Sequence, residues 1–590
     1  MENTSRVRAA AAALGALAAL ALPYNKALAA ASAVKNPGTF VNVEVGEITS
    51  LDPVFPYDNA SQNLIYNVYD TLIAFDGASL TRFRPALATE VPSRQNGLIS
   101  ADGRTYRFPI RKGVLFQDGQ RLTPEDVRYS LLRFMLTDRA GGPSTLLLEP
   151  ILGVSSTRGP DGRINLDFKK AAAAVRVEGN DVVVHLARPF APFLSIMARW
   201  SYVECESWAA ENGEWDGQAR DWKKYNDPEA GQSYFDSHAN GTGPFEVEDW
   251  DQVDHFVLLK RFERYWRGPA RLERVLVKSV PELSTRKLML EAGDADLAEV
   301  AAPLADEIRG LPGVRLEQGL PQLAVDPVFF FTFHINPTAN PDIGSGQLDG
   351  QGIPPDFFTD KNLRKAFAYA FNYKAMVHDV YHGRAKAAIG PIPPGLLGYD
   401  PHGPRYRYDP AKAISYFKKA WGGQVWQKGF RFTLTYNTGG DSRLAACEIM
   451  KRGVEALNPK FRIDLRGLDW PSYLAKAEQR LLPVFSRGWY PDYPDPHDFV
   501  FAFYDSQGRY PLAQGYSNPE MDKLIARAAR ELDPRARARL YGEILRLGYE
   551  DEPSIVTVYP TGVLAIRKWV KGFVDNPVFL GAYYYPISKG

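Results

Sequence analysis

The most distinctive stretch of the chain is Trp489-Tyr490-Pro491-Asp492-Tyr493-Pro494-Asp495-Pro496. Three prolines exclude a regular helix or a central strand, so these residues form a stiff loop that presents one Trp, two Tyr and two carboxylates. A carboxylate set among aromatic faces can pair with a cationic group of a ligand while the rings stack on its body. Because the loop is rigid, little entropy is lost on binding. The same residues also suit a Pro-rich turn whose aromatics pack on their own domain and whose Asp residues cap nearby helices. The residues alone leave the two readings even.

No enzyme signature competes with this loop. There is no G-x-S-x-G elbow, no phosphate-cradling G-x-x-x-x-G-K-[ST], no G-x-G-x-x-G after a strand and no H-E-x-x-H. Gly241-Thr242-Gly243-Pro244 lacks a third Gly and a following helix, so it reads as a turn. His378 and His382, four apart, would share one face of a regular helix and could ligate zinc there. Asp379 is shorter than the Glu a zinc hydrolase uses as base, however, and no third ligand can be named. The pair reads as two solvated histidines near a helix end, where a cation suits the dipole. Cys205 and Cys447 are the only cysteines and no C-x-x-C exists, so Cys₄ and Cys₂His₂ zinc sites are excluded. Both read as buried free thiols, since Cys packs as a small hydrophobe. No catalytic residue, metal or cofactor is assigned. A secreted metal-dependent hydrolase, resting on His378 and His382, is the alternative from a different class.

The elements that would position the loop alternate between strand and helix. Residues 39–47 alternate apolar and polar as a strand, and 63–73 carry apolar residues at helical spacing. Thr123 as N-cap, Pro124 at the first position and Glu125 and Asp126 in the first turn open a helix. Residues 329–335, FFFTFHI, form a continuous apolar run that reads as a buried strand. Residues 337–355, dense in Gly, Pro and Asp, read as an outer loop rather than a lid. A helix starts at Lys361, and Gly383 supplies a left-handed C-terminal residue to the next. Residues 430–436 and 461–465 are strand-like, 521–547 are mostly helix, and 555–559 make a final buried strand. Alternation of this kind implies α/β lobes.

Composition narrows the partners. With 70 Lys+Arg against 69 Asp+Glu, the neutral balance argues against nucleic acid as a partner and gives no reason to propose an anionic membrane. A chain of 590 residues exceeds what one core organises, so at least two lobes are expected. Residues 1–33 read as a secretory signal peptide: Arg6 and Arg8, an Ala/Leu run too short for a stable span, then Ala27-Leu28-Ala29 as cleavage site. Neither cysteine lies near that site to take a lipid anchor, so a free periplasmic protein is expected.

Further motifs occur in a fixed order: Leu51-Asp52-Pro53, Tyr69-Asp70-Thr71-Leu72, Asp102-Gly103-Arg104-Thr105-Tyr106-Arg107-Phe108, Phe116-Gln117-Asp118-Gly119 and Leu122-Thr123-Pro124-Glu125-Asp126-Val127. Gly241-Thr242-Gly243-Pro244-Phe245, Arg264-Tyr265-Trp266, Pro391-Ile392-Pro393, Tyr408-Asp409-Pro410-Ala411, the 489–493 loop and Asn518-Pro519-Glu520-Met521-Asp522 continue the series. From about Thr39 to the C-terminus this order resembles the extracellular solute-binding protein family 5, the peptide-, dipeptide- and nickel-binding receptors of ABC importers. The resemblance implies a two-lobed periplasmic binding protein fold of type II, α/β, with an extra subdomain in the first lobe and the ligand cleft between lobes. It divides the chain into lobe I (34–325 and 556–590, with an inserted subdomain at roughly 62–235) and lobe II (326–555). The segments near 325–329 and 553–559 are then the crossings. In peptide-binding members the Asp of the W-x-x-D loop pairs with the α-ammonium of the ligand. That role falls on Asp492, with Trp489, Tyr490 and Tyr493 around it and Asn59 and Ser61 as first-lobe candidates. The expected partners are a short peptide or small molecule and a membrane permease, with the receptor monomeric. A non-peptide cargo (oligosaccharide, nickel complex, opine or haem) is the alternative within binding.

Overall fold

The computed structural model describes residues 34–159, 161–579 and 581–590; the leader read from 1–33 lies outside them. Two sheets organise the chain. The first has seven strands in the order Val314–Leu320, Gly562–Arg567, Leu297–Glu299, Thr39–Glu44, Arg274–Ser279, Phe256–Arg261 and Phe245–Asp251. Thr39–Glu44 runs parallel to both its neighbours at the centre. The second has five strands in the order Phe461–Leu468, Phe430–Asn437, Val484–Trp489, Val325–Phe331 and Ser554–Val556. The chain leaves the first sheet after Leu320, enters the second at Val325, and returns between Val556 and Gly562. The protein is therefore a two-lobed α/β molecule whose lobes share two short connections.

The run of phenylalanines has a simple cause. Val325–Phe331 is an inner strand covered on both faces, so successive side chains all meet apolar partners. Phe330 stacks on Tyr510 at 3.9 Å and on Phe485 at 5.3 Å, whereas Phe329 meets Phe371 and Phe331 meets Phe358 and Phe367 on the other side. The strand begins four residues earlier than the apolar run and ends at Phe331 rather than Ile335. Beyond it, Thr332, Phe333 and Ile335 give their N–H groups to the carbonyls of Pro483, Gln514 and Pro355, none of them in a strand.

Other boundaries differ for equally local reasons. The helix expected over 521–547 is two helices, Pro519–Arg530 and Pro534–Asp551, because Asp533 caps a new start and Pro534 takes its first position. The strand expected at 555–559 is divided between Ser554–Val556 in the second sheet and Val558–Pro560, which pairs with Ala385–Ala387. Gly562–Arg567, which closes the first sheet, was not anticipated. Residues 337–355 are tied to the second sheet, where Asp342 pairs with Arg466 of the edge strand Phe461–Leu468.

The first lobe also carries a unit built on a three-stranded sheet, Thr105–Pro109, Asp181–His185 and Val175–Glu178. Helix Pro124–Thr137 packs on it, opened by a capping box between Thr123 and Asp126. Arg133 of this helix holds Asp52 at 2.6 Å and Glu204 at 2.7 Å, all three buried. That cluster ties the 51–55 turn to the unit, and with it the loop that leads to the cleft. Cys205 and Cys447 are both buried and unbridged. Among the described residues no helix is long and apolar enough to cross a membrane.

Candidate functional site

The site is built outward from strand Val484–Trp489. It pairs antiparallel with Val325–Phe331, Trp489 opposite Val325 and Arg487 opposite Val328. Side chains alternate along a strand, so Phe485, Arg487 and Trp489 share one face and Ser486 and Gly488 the other. The first three line one cavity. On the opposite face a Cβ at Gly488 would lie 2.4 Å from Cγ of Asp326, whose carboxylate takes two 2.9 Å bonds from Arg443. Only glycine fits beside that ion pair.

After Trp489 the prolines carry the chain away from the sheet and into helix Pro496–Tyr504. Asp495 is its N-cap, accepting from the N–H of His497 at 2.8 Å, and also receives two 2.6 Å bonds from the buried Arg537. The indole N–H of Trp489 donates to Asp498 at 2.8 Å, and the Tyr493 hydroxyl meets Nδ1 of His497 at 2.9 Å. The capping reading of this loop therefore holds for Asp495. Asp492 behaves otherwise.

Asp492 faces the first lobe. Its carboxylate accepts from the Tyr57 hydroxyl, and its backbone carbonyl accepts from the Trp200 indole at 2.8 Å. Both donors lie across the interlobe cleft. Burial pushes the Asp492 carboxyl up to about 6, against the opposite pull of the Tyr57 hydroxyl, Arg199 and Arg509. Burial and the neighbouring Asp492 charge push Asp498 well above the usual carboxylate range. The cavity beside it measures about 890 Å³, and its lining includes Tyr57, Arg139, Arg188, Arg487, Trp489 and Asp492.

The other sequence candidates take different places. Tyr493 lines the cavity but is buried. Tyr490 leaves 38 % of its surface open. Asn59 is exposed as the first residue of helix Asn59–Val68. Ser61 is fully buried, and its hydroxyl accepts from the N–H of Thr49 at 2.8 Å, so it holds the loop together. His378 lies in a π-turn, and His382 has a left-handed φ of 50°, so the two do not share a helical face. Sequence reasoning missed Tyr57, Trp200 and Arg487. Arg487 was within reach, being two residues before Trp489 on the same strand face. Trp200, 292 positions from Asp492, had no local signal.

A carboxylate, aromatic rings and guanidinium groups thus line one cavity between the two lobes. Residues 82–511 match the bacterial extracellular solute-binding proteins, family 5 (middle). The chain belongs to that family. It is 27% identical over 582 residues to the glutathione-binding protein GsiB of Salmonella typhimurium, covering 95% of this chain and 96% of that one. It is 25% identical over 551 residues to the dipeptide-binding protein DppE of Bacillus subtilis, covering 91% and 90%. In structure this solute-binding protein is similar to the periplasmic binding protein DppA of Helicobacter pylori in complex with the peptide STSA. The TM-score is 0.72 at 22% identity, over 94% of this chain and 98% of that one. The oligopeptide-binding protein AppA of Bacillus subtilis, in complex with a nonapeptide, gives a TM-score of 0.71 at 19% identity, over 94% and 99%. These likenesses confirm the two-lobed fold.

Proposed function

We propose that the protein is the exported, periplasmic receptor of an ABC importer, closing its lobes around a short peptide and presenting it to a membrane permease. The leader-type sequence of residues 1–33 supports export. The names of the curated relatives, glutathione- and dipeptide-binding proteins, support a peptide cargo. One chain supplies both walls of the cleft, so a monomer suffices. Residues 321–324 and 557–561, between the two sheets, are the hinge.

The observation that carries the peptide reading is the Asp492 carboxylate, which lines the cleft and accepts from a hydroxyl of the opposite lobe. With cargo bound, an α-ammonium takes the place of Tyr57 as donor, a charge-assisted bond that selects ligands with a free amine. Trp489 and Tyr490 then wall the ligand, Tyr493 backs the loop, Asn59 stands at the first-lobe rim and Ser61 supports it from behind. Calorimetry with free-ended tripeptides, found by thermal-shift screening beside sugars and metal chelates, tests this. Asp492→Ala weakens peptide binding by about tenfold or more with an unchanged melting temperature. Unchanged affinity removes Asp492 from the site, and stabilisation by a sugar or chelate alone removes the peptide.

A further inference from the structure

A second, smaller cavity lies within the second lobe, behind the return connection. It measures about 30 Å³, room for about one water-sized ion, and its lining includes Tyr373, Tyr406, Tyr504, Tyr549, Glu552 and Ser554. None of these residues lines the cavity of Asp492. Glu552 ends helix Pro534–Asp551 in the left-handed region, at φ 46°, a position that glycine fills with least strain. It is 6 % exposed, yet among the described residues its carboxylate accepts no hydrogen bond and has no ion-pair partner. Ser554, 4 % exposed, has a hydroxyl with no partner either.

The cations nearby are engaged elsewhere. Arg364 directs its N–H groups to the carbonyls of Phe358, Thr359, Asp551 and Glu552. Lys365 pairs with Glu550 at 2.7 Å and Lys361 approaches Asp551 at 3.4 Å. Arg405, which also lines the cavity, donates to the Pro401 carbonyl. Burial therefore pushes the Glu552 carboxyl well above the usual carboxylate range, against the pull of Arg364 and Lys365.

A buried carboxylate without a partner keeps a proton or takes a cation. Three features here favour the cation. Tyrosine faces carry negative partial charge, an 18-residue helix ends at this point with its negative pole, and the Ser554 hydroxyl offers a free lone pair. A divalent ion calls for more carboxylates, and among the described residues no three acidic, His or Cys side chains are grouped to hold one. We propose that this cavity binds one small monovalent cation, of the class of potassium and ammonium, between Glu552, Ser554 and the tyrosine faces. Val556 on its wall leads straight into the connection 557–561, so the ion ties the end of helix Pro534–Asp551 to the strand that feeds the hinge.

The test starts from protein in tetramethylammonium chloride, whose cation is too large for the cavity. Potassium or ammonium chloride then replaces that salt at pH 8 and constant ionic strength while the melting temperature is followed. Crystals grown in rubidium chloride are searched for anomalous density. The melting temperature should rise saturably by about 2 °C or more. Glu552→Gln should abolish the rise, and rubidium density should lie between Glu552 and Ser554. A Glu552-dependent rise with both ions identifies a potassium-type site; a rise with ammonium alone, without rubidium density, identifies one that uses the N–H donors of ammonium. Equal melting temperatures in all salts, with no rubidium density, overturn the proposal and leave Glu552 protonated. A rise that Glu552→Gln retains, again without density, is a general salt effect and overturns it too. Should Glu552→Gln not fold, rubidium density in the wild type decides alone.

Discussion

The two walls of the cleft use their polar groups in opposite ways. On the first-lobe wall, the loop before helix Asn59–Val68 turns inward. Asp58 caps the helix by accepting from the N–H of Ser61, Ser61 accepts from Thr49, and Gln62 donates to the Pro56 carbonyl at 2.9 Å. From this loop Tyr57, 41 % exposed, reaches across, and elsewhere on the same wall the Trp200 indole does so too. On the second-lobe wall, Asp495 and Asp498 anchor the loop while Asp492 and Arg487 face the cavity. On the proposed function, one wall closes and the other recognises. A rigid wall can leave charges facing the ligand because other residues carry its structure, as binding without loss of order requires.

The strongest way to break this contrast is to remove the anchor rather than the binding group. Asp495→Ala takes both hydrogen bonds from a buried Arg537 and the cap from helix Pro496–Tyr504. An uncompensated buried charge costs about 3–5 kcal/mol, and cap loss about 1 kcal/mol more where the two are independent. Denaturant unfolding should report a loss of that size, and calorimetry a loss of peptide binding through a loosened loop. Wild-type stability would mean that the prolines alone hold the wall.

The anchor also shows what could be read from the chain. Periodicity revealed α/β lobes because helices and strands impose repeats on sequence, and the ordered motifs indicated the fold. The 489–496 loop was legible as rigid because proline fixes φ locally. Dividing its two carboxylates between structure and ligand was not, since the partner of Asp495 is 42 positions away at Arg537 and that of Asp492 is 435 positions away at Tyr57. Gly562–Arg567 escaped notice for a related reason. It is a strand by virtue of Leu297–Glu299 and Val314–Leu320 on either side of it, not by its own pattern.

A smaller effect, adjustable without mutation, comes from pH. Burial raises the Asp492 carboxyl to about 6, and only its ionised form attracts an ammonium. The α-amine is protonated through the acid range and loses its proton near pH 8, so affinity is greatest near pH 7, falls as pH drops through 6 and falls again above about 8. At pH 5 it should be about tenfold weaker, one pH unit below the midpoint. The stability sign is opposite. A raised carboxylate pKa means that folding is penalised by ionisation above the unfolded value, so Asp492→Asn should not lower the melting temperature at pH 8. Calorimetry of one peptide from pH 5 to 8 checks the first statement. A flat profile that Asp492→Asn does not change would show that recognition lies elsewhere on the wall.

The smallest effect sharpens the contrast most. Tyr57→Phe keeps the ring near Trp200, 6.0 Å between centroids, and deletes only the hydroxyl that bridges the walls. If Tyr57 merely occupies Asp492 until cargo arrives, its loss leaves the liganded state untouched and destabilises the closed, empty one. Affinity then rises, by at most the worth of one hydrogen bond to a charged group, about 1.5–3 kcal/mol, and by a few-fold once water replaces the hydroxyl. Small-angle scattering of the empty protein should show a wider cleft, because beside this loop the remaining bridges include only Trp200 to the Asp492 carbonyl and Ala191 to the Ala529 carbonyl, each at 2.8 Å, while Arg384 joins the lobes at Gln318 and Asp306 near the connections. A fall in affinity would mean that the hydroxyl stays on Asp492 beside the ammonium. Tyr57 would then belong to the recognising wall, and the division of labour between the lobes would have to be drawn through the first lobe instead of between the two.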